Sequence, residues 1–255
     1  RMTPPTPPSA VCAAPLPGVK DPLGFSPFSV ADKKNLLAAV SFKDAKAFIR
    51  TVVDVVTRKT NLKKIAPDMP LHLVEAAFMH VYSKSSGGVI EATFTCNAEI
   101  KVIGVDGNDD TMATCNHPTP IRIPIDDVQI DWGSLEAGKN YVAKLSGSTF
   151  VELSMPPWET MKKFVGEGDA TVNINDEFVV ACVRAVGDAD KTYTREDFTP
   201  EELTQWINDL SAEDGELLEP FFANMPVISK SFDITCPKCG TAKTVVLRGL
   251  DDFFV

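Results

Sequence analysis

Cys236-Pro237-Lys238-Cys239-Gly240 is the densest piece of chemistry in the sequence. Two cysteines separated by two residues let one tight turn present both thiolates to a single ion. The proline fixes entry to that turn, and the glycine permits a positive backbone angle just past the second ligand. A zinc ion takes four ligands in a closed structural site, so two more must come from elsewhere in the chain. Cys96 and Cys115 are the candidates. Each follows a threonine and precedes an asparagine, and together they bracket a stretch rich in Gly, Asn and Asp, residues 104–110. The reading therefore predicts one structural zinc held by Cys96, Cys115, Cys236 and Cys239, which would close a loop of more than a hundred residues.

Other readings of the same residues stay open at this point. His117, two residues after Cys115, competes as a ligand, and Cys96 and Cys115 also fit two buried thiols. A lone Cys-x-x-Cys occurs in redox proteins too, between a strand and a helix. Here the residues after Gly240, 243–248, alternate like a strand, which favours metal. Cys182 lies in an apolar run and reads as core, whereas Cys12 lies among prolines with no partner in view. His72 and His80, eight residues apart on a predicted helix, read as ordinary surface or interface histidines.

A four-thiolate site has no position left for water, so it points to structure and not to hydrolysis. No phosphate-binding loop, dinucleotide fingerprint, His-Glu-x-x-His or Gly-x-Ser-x-Gly is present. Asp106, Asp109 and Asp110 have the wrong spacing for a calcium loop, and Asp126/Asp127 and Asp251/Asp252 read as solvated acids. The expectation is a protein that is not an enzyme.

The chain has 255 residues with 35 acidic and 25 basic side chains, a formal net charge of -10. Nucleic-acid binders gain affinity by neutralising phosphates with Lys and Arg, so direct nucleic-acid binding is not expected. No apolar run approaches the roughly 18 residues of a membrane helix. The first eight residues lack the apolar stretch of a secretory signal, and a reduced setting is expected for the cysteines.

The elements that must position the cysteines follow from periodicity. Residues 1–28 hold eight of the nineteen prolines and read as an extended arm, either a disordered tail or one that would drape over a neighbouring subunit. Residues 29–60 carry an apolar face at three- and four-residue steps, opened by Ser29 and Asp32 as a capping box. A second helix is predicted over residues 71–82, ended by Ser85-Ser86-Gly87-Gly88. From Val89 the period changes to two, giving strands at 89–96 and 121–128, and residues 141–153 read as a hairpin. A short helix is predicted from Pro156 to Phe164, a buried helix over 175–185, and further helices opened by Thr199-Pro200-Glu201-Glu202 and by Ser211. Strands around Phe232 and Val245 flank the Cys-x-x-Cys, and Phe253 and Phe254 are expected to fold back onto the core. The predicted fold class is α+β: helical N-terminal and C-terminal segments, a small antiparallel sheet, and a zinc-ribbon-like site assembled from two distant hairpins. In domain terms this is an arm at 1–28 and one domain at 29–255, with the zinc-ribbon element at about 89–128 and 229–250.

The C-terminal order of motifs carries a resemblance. Thr199-Pro200-Glu201-Glu202-Leu203 is followed by Phe221-Phe222-x-x-Met225-Pro226, then Cys236-Pro237-x-Cys239-Gly240, then Leu247-x-Gly249-Leu250-x-Asp252-Phe253-Phe254. This series resembles the small baseplate-hub and hub-assembly proteins of T-even-type contractile-tailed bacteriophages. Met69-Pro70-Leu71 through Tyr82-Ser83-Lys84-Ser85 to Cys96 resembles the segment preceding the first metal-ligand half in that family. The resemblance implies a structural component or assembly factor of a contractile phage tail baseplate. It would lie in the virion tail, or in the host cytoplasm during assembly. It would contact other phage baseplate or tail proteins within a multi-subunit assembly. The Pro-rich arm would mark a member that remains in the particle. The competing class is a zinc-ribbon adaptor of nucleic-acid or transcription machinery, against which the acidic charge weighs.

Overall fold

A computed structural model describes residues 11–41, 45–62, 69–103, 110–133, 135–161, 163–164 and 174–254. Strands β1 (Cys12–Ala14) and β2 (Leu23–Phe25) form an antiparallel hairpin. Three helices follow: α1 (Val30–Ser41), α2 (Ala45–Lys59) and α3 (Leu71–Ser86). The Ser29–Asp32 capping box is present, with the Ser29 backbone N–H donating to Asp32 at 2.7 Å and Asp32 N–H donating to Ser29 Oγ at 3.2 Å. Asp32 also receives Arg58 at 2.9 Å and Lys59 at 3.1 Å, joining the start of α1 to the end of α2. Burial alone would raise this carboxyl, but the Ser29, Arg58 and Lys59 hydrogen bonds together hold it well below the usual carboxylate range.

The expected single helical stretch over 29–60 is two helices, and its middle, 42–44, lies outside the described residues. Helix α3 is followed by Gly87 and Gly88, whose φ values of 76° and 80° favour glycine. The arm expected at 1–28 meets a different arrangement. Residues 1–10 lie outside the described set, but Leu16, Leu23 and Phe25 are buried in the main core. Gly24 N–H donates to Asn61 Oδ1 at 3.1 Å, Asn61 Nδ2 donates to the Pro22 carbonyl at 3.2 Å, and Ser26 N–H donates to the Lys59 carbonyl at 2.9 Å. Between residues 12 and 25 the Pro-rich stretch is therefore packed into the domain and does not reach away from it. Proline forbids a helix or a central strand there, but it permits a short hairpin.

The middle of the chain is antiparallel sheet. Strand β3 (Val89–Thr95) pairs with β6 (Pro118–Pro124), and between them β4 (Glu99–Ile103) pairs with β5 (Asp110–Thr114). A short strand, β7 (Gln129–Asp131), follows. The predicted hairpin is present as β8 (Tyr141–Lys144) and β9 (Phe150–Leu153). Helices α4 (Trp158–Met161) and α5 (Asp176–Cys182) lead to β10 (Val183–Gly187) and β11 (Thr192–Thr194), completing a four-stranded sheet of order β11-β10-β9-β8. The helix expected over 175–185 thus ends at Cys182, and its last residues are strand. The consecutive apolar residues 178–183 carry no period that separates helix from strand, and here β10 is held between β9 and β11.

Helices α6 (Pro200–Asn208), α7 (Ala212–Glu216) and α8 (Glu219–Ala223) come next, then β12 (Val227–Thr235), β13 (Ala242–Arg248) and α9 (Gly249–Phe254). Thr199 caps α6 with a full capping box. Strand β12 pairs with β13 on one side and β7 on the other. The fold is mixed helix and antiparallel sheet, as predicted, but it has several sheets in place of one small sheet. The described chain also opens on a hairpin, and the C-terminal helices are separated from α9 by β12 and β13. Phe253 is 1% exposed, and Phe254 packs edge-on to Tyr82 at 4.9 Å and Phe78 at 5.9 Å, so the C-terminal aromatics do fold back. Among the described residues no helix is long and apolar enough to cross a membrane.

Candidate metal centre

Cys96 lies between β3 and β4, Cys115 between β5 and β6, and Cys236 and Cys239 in the turn joining β12 to β13. The long ribbon made by β3–β6 and β4–β5 is pinched at its waist. There Cys96 N–H donates to the His117 carbonyl at 3.0 Å, Cys115 N–H to the Ala98 carbonyl at 2.8 Å, and Asn116 N–H to the Cys96 carbonyl at 2.9 Å. These bonds bring residues 96 and 115 side by side; residues 104–109 lie outside the described set. The other half closes in a similar way, with Cys236 N–H on the Thr241 carbonyl at 3.0 Å and Gly240 N–H on the Cys236 carbonyl at 2.8 Å. A positive φ follows the later cysteine of each pair, 51° at Asn116 and 72° at Gly240. Asn is the side-chain-bearing residue that tolerates this region best.

The two halves meet. The Sγ atoms of Cys96 and Cys239 are 3.7 Å apart, those of Cys115 and Cys236 are 3.8 Å apart, and all four sulfurs lie within 4.8 Å of one another. A tetrahedron of thiolates at metal bonds of ~2.3 Å has edges of ~3.8 Å, so the four side chains fit a metal ion. Cys96, Cys115 and Cys236 are buried and Cys239 is half-buried. They form a cluster of their own, apart from the main core, with Phe94, Ala98 and Ile100 packed around it. Lys238 Nζ donates to the Cys115 carbonyl at 3.1 Å and Lys243 Nζ to Asn97 Oδ1 at 3.1 Å, tying one half to the other from outside.

The electrostatics suit thiolate ligands. The Thr241 hydroxyl and backbone N–H, followed by the neighbouring thiols, bring the Cys239 thiol down to about 6. At Cys96 the Ala98 N–H acts in the same sense, but burial and the three neighbouring thiols outweigh it and the net shift is upward, to about 11. Burial also raises Cys115, opposed by the His117 N–H. In each of these cases the backbone N–H two residues after the cysteine points at its sulfur, an arrangement that favours sulfur carrying negative charge. A divalent metal among the four sulfurs would favour their thiolate form.

All four cysteines named from the sequence are therefore brought together. His117 is not: it contributes its backbone and stands outside the cluster. The Cys-x-x-Cys sits in a hairpin turn and not at a helix start, which removes the geometry of a thioredoxin-type pair. Sequence reasoning missed the backbone donors at Ala98, His117 and Thr241 and the left-handed Asn116. The repeated Thr-Cys-Asn triplet was the available signal for the last. Cys182 is fully buried in α5, and burial pushes its thiol strongly up, as befits a core residue. Cys12 is half-buried against the main core.

The histidines differ from expectation. His72 is 4% exposed, its Nδ1 has no hydrogen-bond partner among the described residues, and its ring meets Trp132 edge-on at 5.3 Å. His80 is half-buried beside Phe25 at 6.2 Å. Burial holds His72 down to about 4. Because the unfolded chain then takes up this proton first, the stability that neutral His72 confers is present above about pH 6.5 and is lost as pH falls toward 4. A His72→Phe variant is expected to lose less stability than the parent chain between pH 6.5 and 4 in urea melts; equal losses would remove His72 as the cause.

A family model described as T4 bacteriophage base plate protein matches residues 11–255. No curated protein and no solved structure matches the chain.

Proposed function

Since the chain belongs to the T4 bacteriophage base plate protein family, we propose that it is a component of the contractile-tail baseplate hub, or a factor that builds that hub, and that one zinc ion holds its cysteine lobe together. It works by contact with other baseplate or tail proteins and without turnover. Its site of action is the virion tail, with assembly in the host cytoplasm. The observation that carries the structural role of the metal is the closed set of four sulfurs, within 4.8 Å of one another and mostly buried. Cys96, Cys115, Cys236 and Cys239 would fill the tetrahedron and leave no position for a reacting water. Zinc is favoured over other ions because thiolates select it and because it needs no redox partner. The acidic surface and the fit to a phage tail family both weigh against an adaptor on nucleic acid.

The test is a phage from which the protein has been removed. Cells infected with it are expected to accumulate no complete baseplates. Supplying the unaltered chain should restore them, and supplying the Cys239→Ser chain should restore far fewer. Infectious, complete tails in the absence of the protein would overturn the assignment.

A further inference from the structure

A cavity of about 580 Å³ lies among β10, β11 and α6. Its walls are aromatic and acidic: Tyr193, Phe198 and Trp206 with Asp188 and Glu202. Tyr193 stands on β11, the edge strand of the four-stranded sheet. Phe198 immediately precedes the cap of α6, and Glu202 and Trp206 are four residues apart on that helix, so their side chains share one face. The rings of Tyr193 and Phe198 are 5.7 Å apart and inclined at 54°. All three aromatics are only half-buried. Glu202 spends one carboxylate oxygen on the Thr199 N–H of the helix cap at 2.8 Å.

We propose that this cavity is a docking site for an arginine side chain presented by a basic segment of a neighbouring protein. Three observations define the occupant. Aromatic faces carry negative potential and attract cations, and the chain's own Lys191 already places Nζ 4.3 Å over the Tyr193 ring. The cavity has carboxylates at its wall, which an arginine's planar donor fork matches while its face stacks on a ring. The surrounding chain is strongly one-signed: residues 188–219 contain eleven acidic and two basic residues. That charge draws in a basic partner and repels an acidic one. The site is independent of the cysteine lobe and stands or falls without the metal.

The experiment titrates the purified full-length chain with a fluorescent acetyl-Gly-Arg-Gly-Arg-Gly-amide peptide and with its counterpart in which citrulline replaces arginine, followed by anisotropy at low and physiological salt. Citrulline keeps the shape and removes the charge. Saturable binding of the arginine peptide is expected, weakened about tenfold by citrulline and about tenfold by Trp206→Leu, the scale of a desolvated cation–π contact. Equal affinity for the two peptides, absence of saturation, or binding that ignores Trp206→Leu in a folded variant overturns the proposal; the last result means attraction to the acidic surface alone. If Trp206→Leu does not fold, the comparison of the two peptides on the unaltered chain decides.

Discussion

Chelation of the metal is expected to lower the melting temperature of the chain by about 10–20 °C, and Cys236→Ser to do the same without any chelator. The size follows from the connectivity. Cys96 and Cys239 are 143 residues apart in sequence, and Cys115 and Cys236 are 121 apart. A cross-link closing a loop of about 100 residues removes ~4–5 kcal/mol of unfolded-chain entropy, and each kcal/mol shifts the transition by ~2–4 °C in a chain of this size. Besides the Lys238–Cys115 and Lys243–Asn97 hydrogen bonds, the lobe's own packing is small. Its buried cluster is the cysteines with Phe94, Ala98 and Ile100 beside them, set apart from the main core. The loss should therefore be uneven: amide protons of β3, β6, β12 and β13 near the cysteines exchange early, while α3 and β9 stay protected. Chelator should have no further effect on the Cys236→Ser chain. Cys12→Ser, which changes a half-buried thiol remote from the cluster, should leave both the melting temperature and its response to chelator in place. A chelator-insensitive parent chain would remove the metal from the account of stability.

Replacing Phe253 with alanine is expected to cost ~3–5 kcal/mol, the range for a phenylalanine deleted from a closed core. The side chain is 1% exposed and joins the same core cluster as α3 and β12. Its neighbour Phe254 is half-buried and packs against Phe48, Phe78 and Tyr82 at ring separations of 6.0, 5.9 and 4.9 Å. Phe254→Ala should cost less than Phe253→Ala because its site is partly open to water and needs to collapse less. Urea melts of the two variants decide it. A Phe253→Ala chain as stable as the parent would mean that the C-terminal helix does not close the core.

The residues that do chemistry were easier to read than the elements that hold them. A Cys-x-x-Cys with proline and glycine in its turn limits the backbone to few shapes, and two Thr-Cys-Asn triplets supplied the matching half. Neither depends on long-range packing. The helix caps at Ser29 and Thr199 were equally plain because two residues three positions apart satisfy the helix end between themselves. Three readings went astray where tertiary context decides. The apolar run 175–185 becomes helix and then strand because its consecutive apolar residues, 178–183, leave no period to read, and pairing with β9 and β11 decides for β10. Leu16, Leu23 and Phe25 were hidden among prolines, and only the fold, which holds Pro22 and Gly24 on Asn61 and Ser26 on Lys59, places them in the core. His72 looked like a surface or interface residue, since its burial against Trp132 comes from a segment sixty residues away, just past β7. The aromatic cavity lined by Tyr193, Phe198 and Trp206 was invisible for the same reason: the sequence shows three aromatics and many acids, and the fold alone makes them one wall.

The central claim is that four cysteines from two distant hairpins hold one zinc ion. Elemental analysis of the purified chain, prepared without added metal and with protein concentration measured independently, tests it most directly. The account predicts one zinc per chain, falling to none in the Cys236→Ser variant, together with four thiols that react with a thiol reagent only after the zinc is released. A metal-free parent chain that melts at the same temperature with and without chelator would contradict it.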